Sequence, residues 1–387
     1  MRVLKPSPWL ASLGALFVLL AAGWLREAGA DVTTNRGASI LVFPKVISDG
    51  TRDTIIQISN TTNSSVRALC FYIRNSVDPG ADPNQCDVRD FEIFLTRQQP
   101  TIWRASTGRT FDAGNPPSLG ECEEIVVDGT VRQQCPGFPP GNIPQLGTDF
   151  EGELKCIQVD ESRAPIGGNA LKGEAILEDV LGNNGGGAGD PTLVASNNIS
   201  SYNALGVIGI SVDQDLTLNL DGQEYNACPT QLTVHHLAQG SDSDDVDPVT
   251  GLGIETELTL VPCTEDLEVG LAAPLTVQFL VFDEFEQSLS TSTTVTCWLN
   301  ETLDDLDGAA SIFSAAQRGS TVLRTEIRPS TGSGTGVLAV MEEFRLADVC
   351  NGSCTTERVA AAAANATVEG SRPSDTITLG ESEGGDE

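Results

Sequence analysis

Strict alternation of apolar and polar residues is the feature that most constrains this chain, because it fits a β-strand with one buried face and does not fit a helix. Residues 216–220 (LTLNL) and 254–260 (IETELTL) alternate without a break. Other segments rich in β-branched, aromatic and apolar residues also predict strands. They are residues 39–47, 53–59, 66–74, 91–96, 154–159, 275–282 and 293–299. The sequence therefore predicts an all-β fold.

Local composition suggests how this β-rich chain is divided. Residues 136–148 (PGFPPGNIPQLGT) combine prolines and glycines in a pattern typical of a linker. We therefore predict a first β-sandwich domain over residues 31–135 and a larger β-sandwich domain over residues 149–354, both immunoglobulin-like or related in architecture. Residues 355–387 contain few large apolar side chains, so we expect a disordered acidic tail there.

The first thirty residues have the features of a signal peptide. A positively charged start is followed by an uncharged apolar run over residues 9–24 and by the small residues 28–30 (AGA). Cleavage there would leave Asp31 as the first residue of the mature protein. The alternative is an uncleaved membrane anchor, but a spanning helix needs about 20 apolar residues. We expect a secreted, periplasmic or cell-surface protein that is not integral to the membrane after cleavage.

Cysteine usage fits export to an oxidising compartment. All 10 cysteines follow the predicted signal peptide, and five disulfides are the simplest account. Asp128-Gly129 forms a two-residue hairpin turn, so facing residues have numbers that sum to 257. Cys122 then faces Cys135 in a non-hydrogen-bonded pair, where the Cα separation of about 4.5 Å suits a disulfide. Free thiols or different pairing remain the alternative for these two residues.

A second local disulfide is predicted in the segment CNGSC, between Cys350 and Cys354. The alternative is a redox-active loop. A Cys-x-x-Cys oxidoreductase motif, however, has two intervening residues at the start of a helix, and neither condition holds here. We therefore favour a structural disulfide.

Charge is distributed unevenly along the sequence. The chain has 54 acidic and 22 basic residues, a formal net charge of -32, which excludes a basic nucleic-acid binder because phosphates would be repelled. Residues 173–317 contain acidic residues but no lysine or arginine. Such a segment cannot neutralise itself by ion pairing, so core packing or cations must offset its self-repulsion.

One loop inside this acidic segment is a candidate calcium site. The sequence SDSDDVDP places Asp242, Asp244, Asp245 and Asp247 between two predicted strands, and closely spaced carboxylates can supply several of the oxygen ligands that calcium takes. The loop lacks the glycine and the distal glutamate of an EF-hand, so weak binding is expected. The alternative is a solvated acidic loop that aids solubility. Beyond possible calcium, no cofactor is predicted.

Catalytic constellations are poorly represented. His235 and His236 are the only histidines, and neighbouring residues of a strand point to opposite faces, so the two cannot readily share a site. Adjacent acidic pairs such as Glu342 and Glu343 point apart for the same reason. Motifs for phosphate, dinucleotide or zinc-protease chemistry are absent from the sequence. We therefore predict no catalytic residues and no enzymatic activity.

Several segments resemble an uncharacterised family of secreted bacterial β-rich proteins with no assigned activity. The segments are LVFPK (residues 41–45), DTIIQISN (53–60), LTRQQPT (95–101), GELKC (152–156), LKGEA (171–175), TELTLVPC (256–263) and QFLVFDEFEQ (278–287). They are spread over most of the mature chain. The resemblance implies a β-rich exported protein and assigns no functional residue.

These observations favour a non-enzymatic exported β-sandwich protein with a structural, adhesive or surface-interaction role, whose partner is an unknown surface or extracellular ligand. The alternatives are a calcium-dependent module that binds carbohydrate or another surface ligand, and a secreted hydrolase. A deep cleft with converging carboxylates or His235 would favour the hydrolase.

Overall fold

The structure is a computed structural model. It describes residues 32–78, 80–109, 123–127, 130–134, 143–180, 198–239, 246–247, 249–307, 312–314, 322–330, 335–350 and 354–380. Within these ranges, strands arranged in antiparallel sheets account for nearly all regular structure, and one short helix accompanies them. The prediction of an all-β sandwich fold is therefore confirmed.

The strands up to residue 220 are β1 (Ile40–Ser48), β2 (Arg52–Asn60), β3 (Val66–Asn75), β4 (Cys86–Leu95), β5 (Pro100–Arg104), β6 (Glu123–Val127), β7 (Thr130–Gln134), β8 (Phe150–Val159), β9 (Leu171–Asp179), β10 (Ile199–Asn203), β11 (Leu205–Val207) and β12 (Thr217–Leu220).

The remaining elements are β13 (Gln231–Leu237), β14 (Gly253–Pro262), β15 (Glu265–Asp266), β16 (Leu275–Phe282), β17 (Ser288–Val295), β18 (Leu299–Thr302), helix α1 (Leu303–Asp307), β19 (Val322–Pro329), β20 (Val337–Cys350), β21 (Cys354–Asn365), β22 (Thr367–Glu369) and β23 (Asp375–Thr378).

The first sandwich is built from one nine-stranded sheet that folds over itself. Its order is β10-β9-β2-β1-β8-β3-β4, with β5 paired to β2 and β11 paired to β1. Strands β1 and β2 are joined by a single residue pair, Ser48 with Asp53, so the sheet separates there into an outer half (β10, β9, β2, β5) and an inner half (β11, β1, β8, β3, β4). A core that includes Phe43, Ile56 and Trp103 lies between the two halves.

A second sandwich follows in the chain. Its five-stranded sheet has the order β17-β16-β19-β13-β22, and its four-stranded sheet has the order β18-β14-β20-β21. Apolar side chains of both sheets, among them Phe279, Leu258 and Met341, form one buried core. The strands predicted at residues 254–260 and 275–282 therefore each place one face in this core.

The inner half of the first sandwich is covered on its other face as well. A third core combines Val42 and Ile157 of the first sandwich with Val261 and Leu338 of the second, and with Ile377 of the three-stranded sheet β12-β23-β15. Strand β1 is consequently buried at every position, on both faces. We call this contact between the two sandwiches the joint.

Main-chain pairing crosses the predicted domain boundary. Strand β8, which follows residues 136–148, lies between β1 and β3, which precede them. Ile143, inside the predicted linker, is buried in the core of the first sandwich. The first sandwich therefore takes strands from both sides of the predicted boundary, because linker-like composition describes local flexibility and says nothing of which strands pair.

The expectation of a disordered tail is corrected over residues 355–380. Strand β21 pairs along the length of β20, β22 pairs with β13, and β23 pairs with β12 and β15. Many side chains of this segment are small, but its main chain is hydrogen-bonded to neighbouring strands, and Ile377 is buried in the joint. Residues 381–387 lie outside the described residues.

Three disulfides join cysteines in the described part of the chain. Cys70–Cys156 joins β3 to β8, and Cys228–Cys263 lies beside the joint. Cys86–Cys297 connects β4 of the first sandwich to the segment after β17 of the second. Within the described parts of the chain, no helix is long and apolar enough to cross a membrane.

Candidate functional site

The predicted local disulfides fall at the edge of what the structure describes. Strands β6 and β7 pair in the predicted register, with Val127 opposite Thr130, but Cys122 and Cys135 themselves lie outside the described residues. The main chains of Cys350 and Cys354 face each other across the β20–β21 hairpin, which is the arrangement that a local disulfide requires.

Of the four aspartates of the predicted calcium loop, only Asp247 is described. Its Oδ1 accepts a hydrogen bond from the Val249 N–H, and its Oδ2 accepts bonds from the Thr250 hydroxyl and from Arg345 Nε at 2.8 Å each. The Val249 N–H, the Thr250 hydroxyl and Arg345 together lower the pKa of Asp247 to about 2. Asp242, Asp244 and Asp245 lie outside the described residues, so calcium binding stays a prediction.

A second group with metal-binding atoms comprises Cys228, Cys263 and Asp375, whose ligand atoms lie within 4.8 Å of one another. The two sulfur atoms are bonded to each other in a disulfide. A disulfide has no thiolate to offer a metal. This group is therefore part of the covalent structure of the chain.

The two histidines occupy opposite faces of β13, as predicted. His235 is exposed, whereas His236 is buried and its Nε2 lies 2.8 Å from the Thr325 hydroxyl oxygen. Burial lowers the pKa of His236. Glu342 and Glu343 also have different surroundings. Glu342 is fully buried, and Glu343 accepts a hydrogen bond from the Leu237 N–H. The structure does not bring either pair together at one site.

Buried charges at the joint are the feature that sequence reasoning missed. The Lys45 cluster consists of Lys45 (β1), Arg52 (β2), Glu257 (β14), Glu342 (β20) and Arg358 (β21). Lys45 Nζ lies 2.5 Å from Glu257 Oε2 and 2.9 Å from Glu342 Oε2, and its side chain is fully buried.

Arginines complete the Lys45 cluster. Arg52 donates from both terminal nitrogens to Glu342, at 2.8 and 2.7 Å, and Arg358 donates to Glu257 at 2.5 Å. The Arg358 guanidinium also lies 3.9 Å from the centre of the Phe344 ring. Each carboxylate therefore has two cationic partners: Glu257 has Lys45 from the first sandwich and Arg358 from the second, and Glu342 has Lys45 and Arg52, both from the first.

Electrostatics keep both carboxylates of this cluster ionised. Burial alone would raise the pKa of Glu257, but the charges of Lys45 and Arg358 outweigh it and lower that pKa to about 2. For Glu342 the charge of Lys45 and the bonds from Arg52 likewise outweigh burial, and the pKa is again about 2. The cluster thus remains a network of full charges at neutral pH.

The Lys155 cluster lies nearby in the same joint and consists of Glu153 and Lys155 of β8 with Glu265 of β15. Lys155 Nζ lies 3.1 Å from Glu153 Oε1, 3.2 Å from the Pro262 carbonyl oxygen, and in contact with Glu265 Oε2. The second carboxyl oxygens, Glu153 Oε2 and Glu265 Oε1, are buried without a hydrogen-bond partner among the described residues.

Two carboxyls and one ammonium would leave this buried cluster with a net negative charge. Burial, and then the charge of Glu265, raise the pKa of Glu153 well above its usual range, while the two carboxyls together hold the pKa of Lys155 high despite burial. The raised pKa favours the protonated form of Glu153, which reduces the negative charge that the cluster would otherwise hold in the interior.

One sequence signal could have located both clusters. Lys45 and Lys155 each stand in a run of largely apolar residues, LVFPKV and ELKCIQV, within predicted strands. A lysine inside a strand that is buried on both faces needs a carboxylate partner. Glu257 occupies a polar position in the alternation at residues 254–260, so the sequence predicted that its side chain faces solvent.

Comparisons with known proteins identify no relative. No protein-family model matches the chain, and no curated protein matches it. Among solved structures, a crystal structure titled Thermotoga maritima 1070 has a TM-score of 0.23 at 11% identity, covering 38% of this chain and 99% of that one.

Two further solved structures cover more of the chain. The major pilin from Streptococcus pyogenes has a TM-score of 0.17 at 11% identity, covering 88% of this chain and 96% of the pilin. Broad Bean Stain Virus has a TM-score of 0.14 at 9% identity, covering 92% and 95%. All these likenesses are too weak to carry an argument.

We predict that Lys45→Met destabilises the protein by about 3–5 kcal/mol, because it leaves Glu257 and Glu342 as buried carboxylates with one cationic partner fewer. The matched control is Arg163→Met, since Arg163 pairs with Glu92 at the surface and its side chain is 47% exposed. That control should change stability by about 0–1 kcal/mol. Urea unfolding of both variants measures the difference, and equal small effects would contradict the prediction.

We also predict a pH effect from Glu153. Because its pKa is raised in the folded state, its contribution to stability is complete below the unfolded pKa of about 4.3 and is lost as pH rises toward the folded pKa. In that window the stability of the natural protein should fall by up to about 1.4 kcal/mol per pH unit relative to Glu153→Gln, which cannot lose a proton. Denaturant unfolding from pH 5 to pH 9 measures the two slopes, and parallel slopes would show that Glu153 is ionised throughout.

Proposed function

We propose that this chain is an exported, non-enzymatic protein with a structural, adhesive or surface-interaction role. The observation that supports this proposal is that the charged groups at the joint pair with one another inside the protein. Lys45, Lys155, Glu257 and Glu342 are all buried and paired with one another or with neighbouring charges, so they hold strands together. Catalytic acids, bases and nucleophiles must instead reach a substrate.

Export is supported by the sequence and by covalent structure together. Residues 1–30 have the pattern of a signal peptide. The three described disulfides are typical of proteins that fold in an oxidising compartment. Disulfides and a protein interior rich in paired charges suit a molecule that must keep its shape outside the cell.

The experiment begins with the organism that makes the protein. We expect fractionation to recover the mature chain, starting at Asp31, outside the cytoplasm with the three described disulfides intact. The purified mature chain should bind saturably to intact cells or to matrix from that organism. The control is an unrelated exported protein of similar net charge, which separates specific binding from general electrostatics.

Two results would contradict the proposal. One is recovery of the chain in the cytoplasm with free thiols. The other is a hydrolytic activity on envelope or matrix material that disappears in His235→Ala. Because His235 is exposed on the outer face of β13, that substitution should leave folding unchanged, so a loss of activity would reveal a catalytic role. We expect the variant to match the natural protein in stability and in surface binding.

A further inference from the structure

A surface cavity of about 540 Å³ lies at the end of the outer half of the first sandwich. It is bounded by the β1–β2 turn, by the segment after β5, and by the adjacent ends of β9 and β10. Its volume falls within the range of about 300–1,000 Å³ that is typical of small-molecule sites. The cavity is separate from the buried clusters except at one residue, Arg52, which belongs to both.

The lining of the cavity brings cationic donors beside anionic acceptors. The charged residues of the lining are Arg52, Arg104, Asp53, Glu178 and Asp179. Their formal charges sum to -1, from two guanidinium groups and three carboxylates. A cationic ligand would meet both arginines, and an anionic ligand would meet three carboxylates, so this lining disfavours either kind of ion.

Arg52 contributes a fixed guanidinium group to the lining. Its two terminal nitrogens are committed to Glu342, whereas its Nε has no hydrogen-bond partner among the described residues. The side chain is 7% exposed, and the nearest carboxylate oxygen, Asp179 Oδ1, is 3.5 Å from Nε. These contacts hold the guanidinium in one place, so Arg52 presents a fixed positive charge beside the cavity.

Arg104 and Asp53 form a second, more exposed part of the lining. The Arg104 side chain is 47% exposed, and its Nη1 contacts Glu178 and lies 3.7 Å from Asp53 Oδ2. Asp53 is held in place by the Ser106 hydroxyl, which donates to its Oδ2 at 2.6 Å. Donors and acceptors are therefore fixed side by side, an arrangement suited to ligand groups that both donate and accept.

Hydroxyl groups both donate and accept hydrogen bonds. The rim of the cavity adds an apolar surface beside the charged residues. Val180 and Ile199 line the cavity and are exposed. Aliphatic side chains there can contact the C–H groups of a ligand whose hydroxyls face the charged residues. We propose that this cavity binds a neutral saccharide unit. The proposed surface role concerns only the source of that saccharide. The binding itself does not depend on the surface role.

The test uses the whole mature protein. An array of neutral and acidic glycans identifies the strongest neutral binder, and titration calorimetry then measures its affinity for the natural protein, for Arg104→Leu and for Glu178→Gln. We expect saturable binding that weakens at least about tenfold in both variants, equivalent to about 1.4 kcal/mol. Arg163→Leu is the matched control, because Arg163 is equally exposed and ion-paired but lies outside this cavity, and its affinity should be unchanged.

The inference is overturned if no neutral glycan binds, if acidic glycans bind more tightly, or if Arg104→Leu and Arg163→Leu have the same effect. Circular dichroism of each variant shows whether a loss of affinity is caused by a loss of folding. If Arg104→Leu does not fold, the affinity of Glu178→Gln tests the inference. Surface binding in the native organism without glycan binding would leave the proposed function standing and remove only this inference. If the protein binds glycan but is recovered in the cytoplasm, the proposed function is contradicted and this inference stands.

Discussion

Burial of charge at the joint between the two sandwiches is the constraint on which the rest of this structure depends. Lys45 and Lys155 both lie on the inner half of the first sandwich, in strands buried on both faces. Removing an isolated ion from water costs several kcal/mol, whereas a well-paired buried ion contributes little net stability. A packing with shifted strands would leave these lysines unpaired in an apolar core. The clusters therefore penalise alternative packings of the two sandwiches more than they stabilise the observed one.

The same contacts explain how a segment without lysine or arginine fits into the fold. Glu257 and Glu265 belong to residues 173–317, and their cations come from outside it, from Lys45 and Lys155 on one side and Arg358 on the other. Asp247 of the same segment is paired with Arg345. These three buried carboxylates are thus matched by cations from the flanking parts of the chain.

The sequence predicted those features of the architecture that depend on residues close together in the chain, and it missed those that depend on distant residues. Local sequence located strands such as β14 and β16, and the numbering expected for a two-residue hairpin loop predicted the register of β6 and β7, because each signal depends on neighbouring residues. The insertion of β8 between β1 and β3 could not be predicted in this way. Neither could the pairing of β23 with β12, because both depend on contacts between distant segments. The acidic partners were missed for the same reason, since a lysine inside an apolar strand signals that it needs a carboxylate but does not identify the distant residue that supplies it.

Arg52 connects the joint to the surface cavity and shows how one feature can support another. Its bidentate bond to Glu342 fixes the guanidinium plane, so the Arg52 side chain is held in the cavity lining before any ligand binds. Fixing a long side chain in advance lowers the entropic cost of binding, because the side chain has little freedom left to lose. The charge network that specifies how the sandwiches pack therefore also preorganises a recognition group. A substitution at Glu342 would release Arg52 and disturb both the joint and the cavity, whereas substitutions at Arg104 act on the cavity alone.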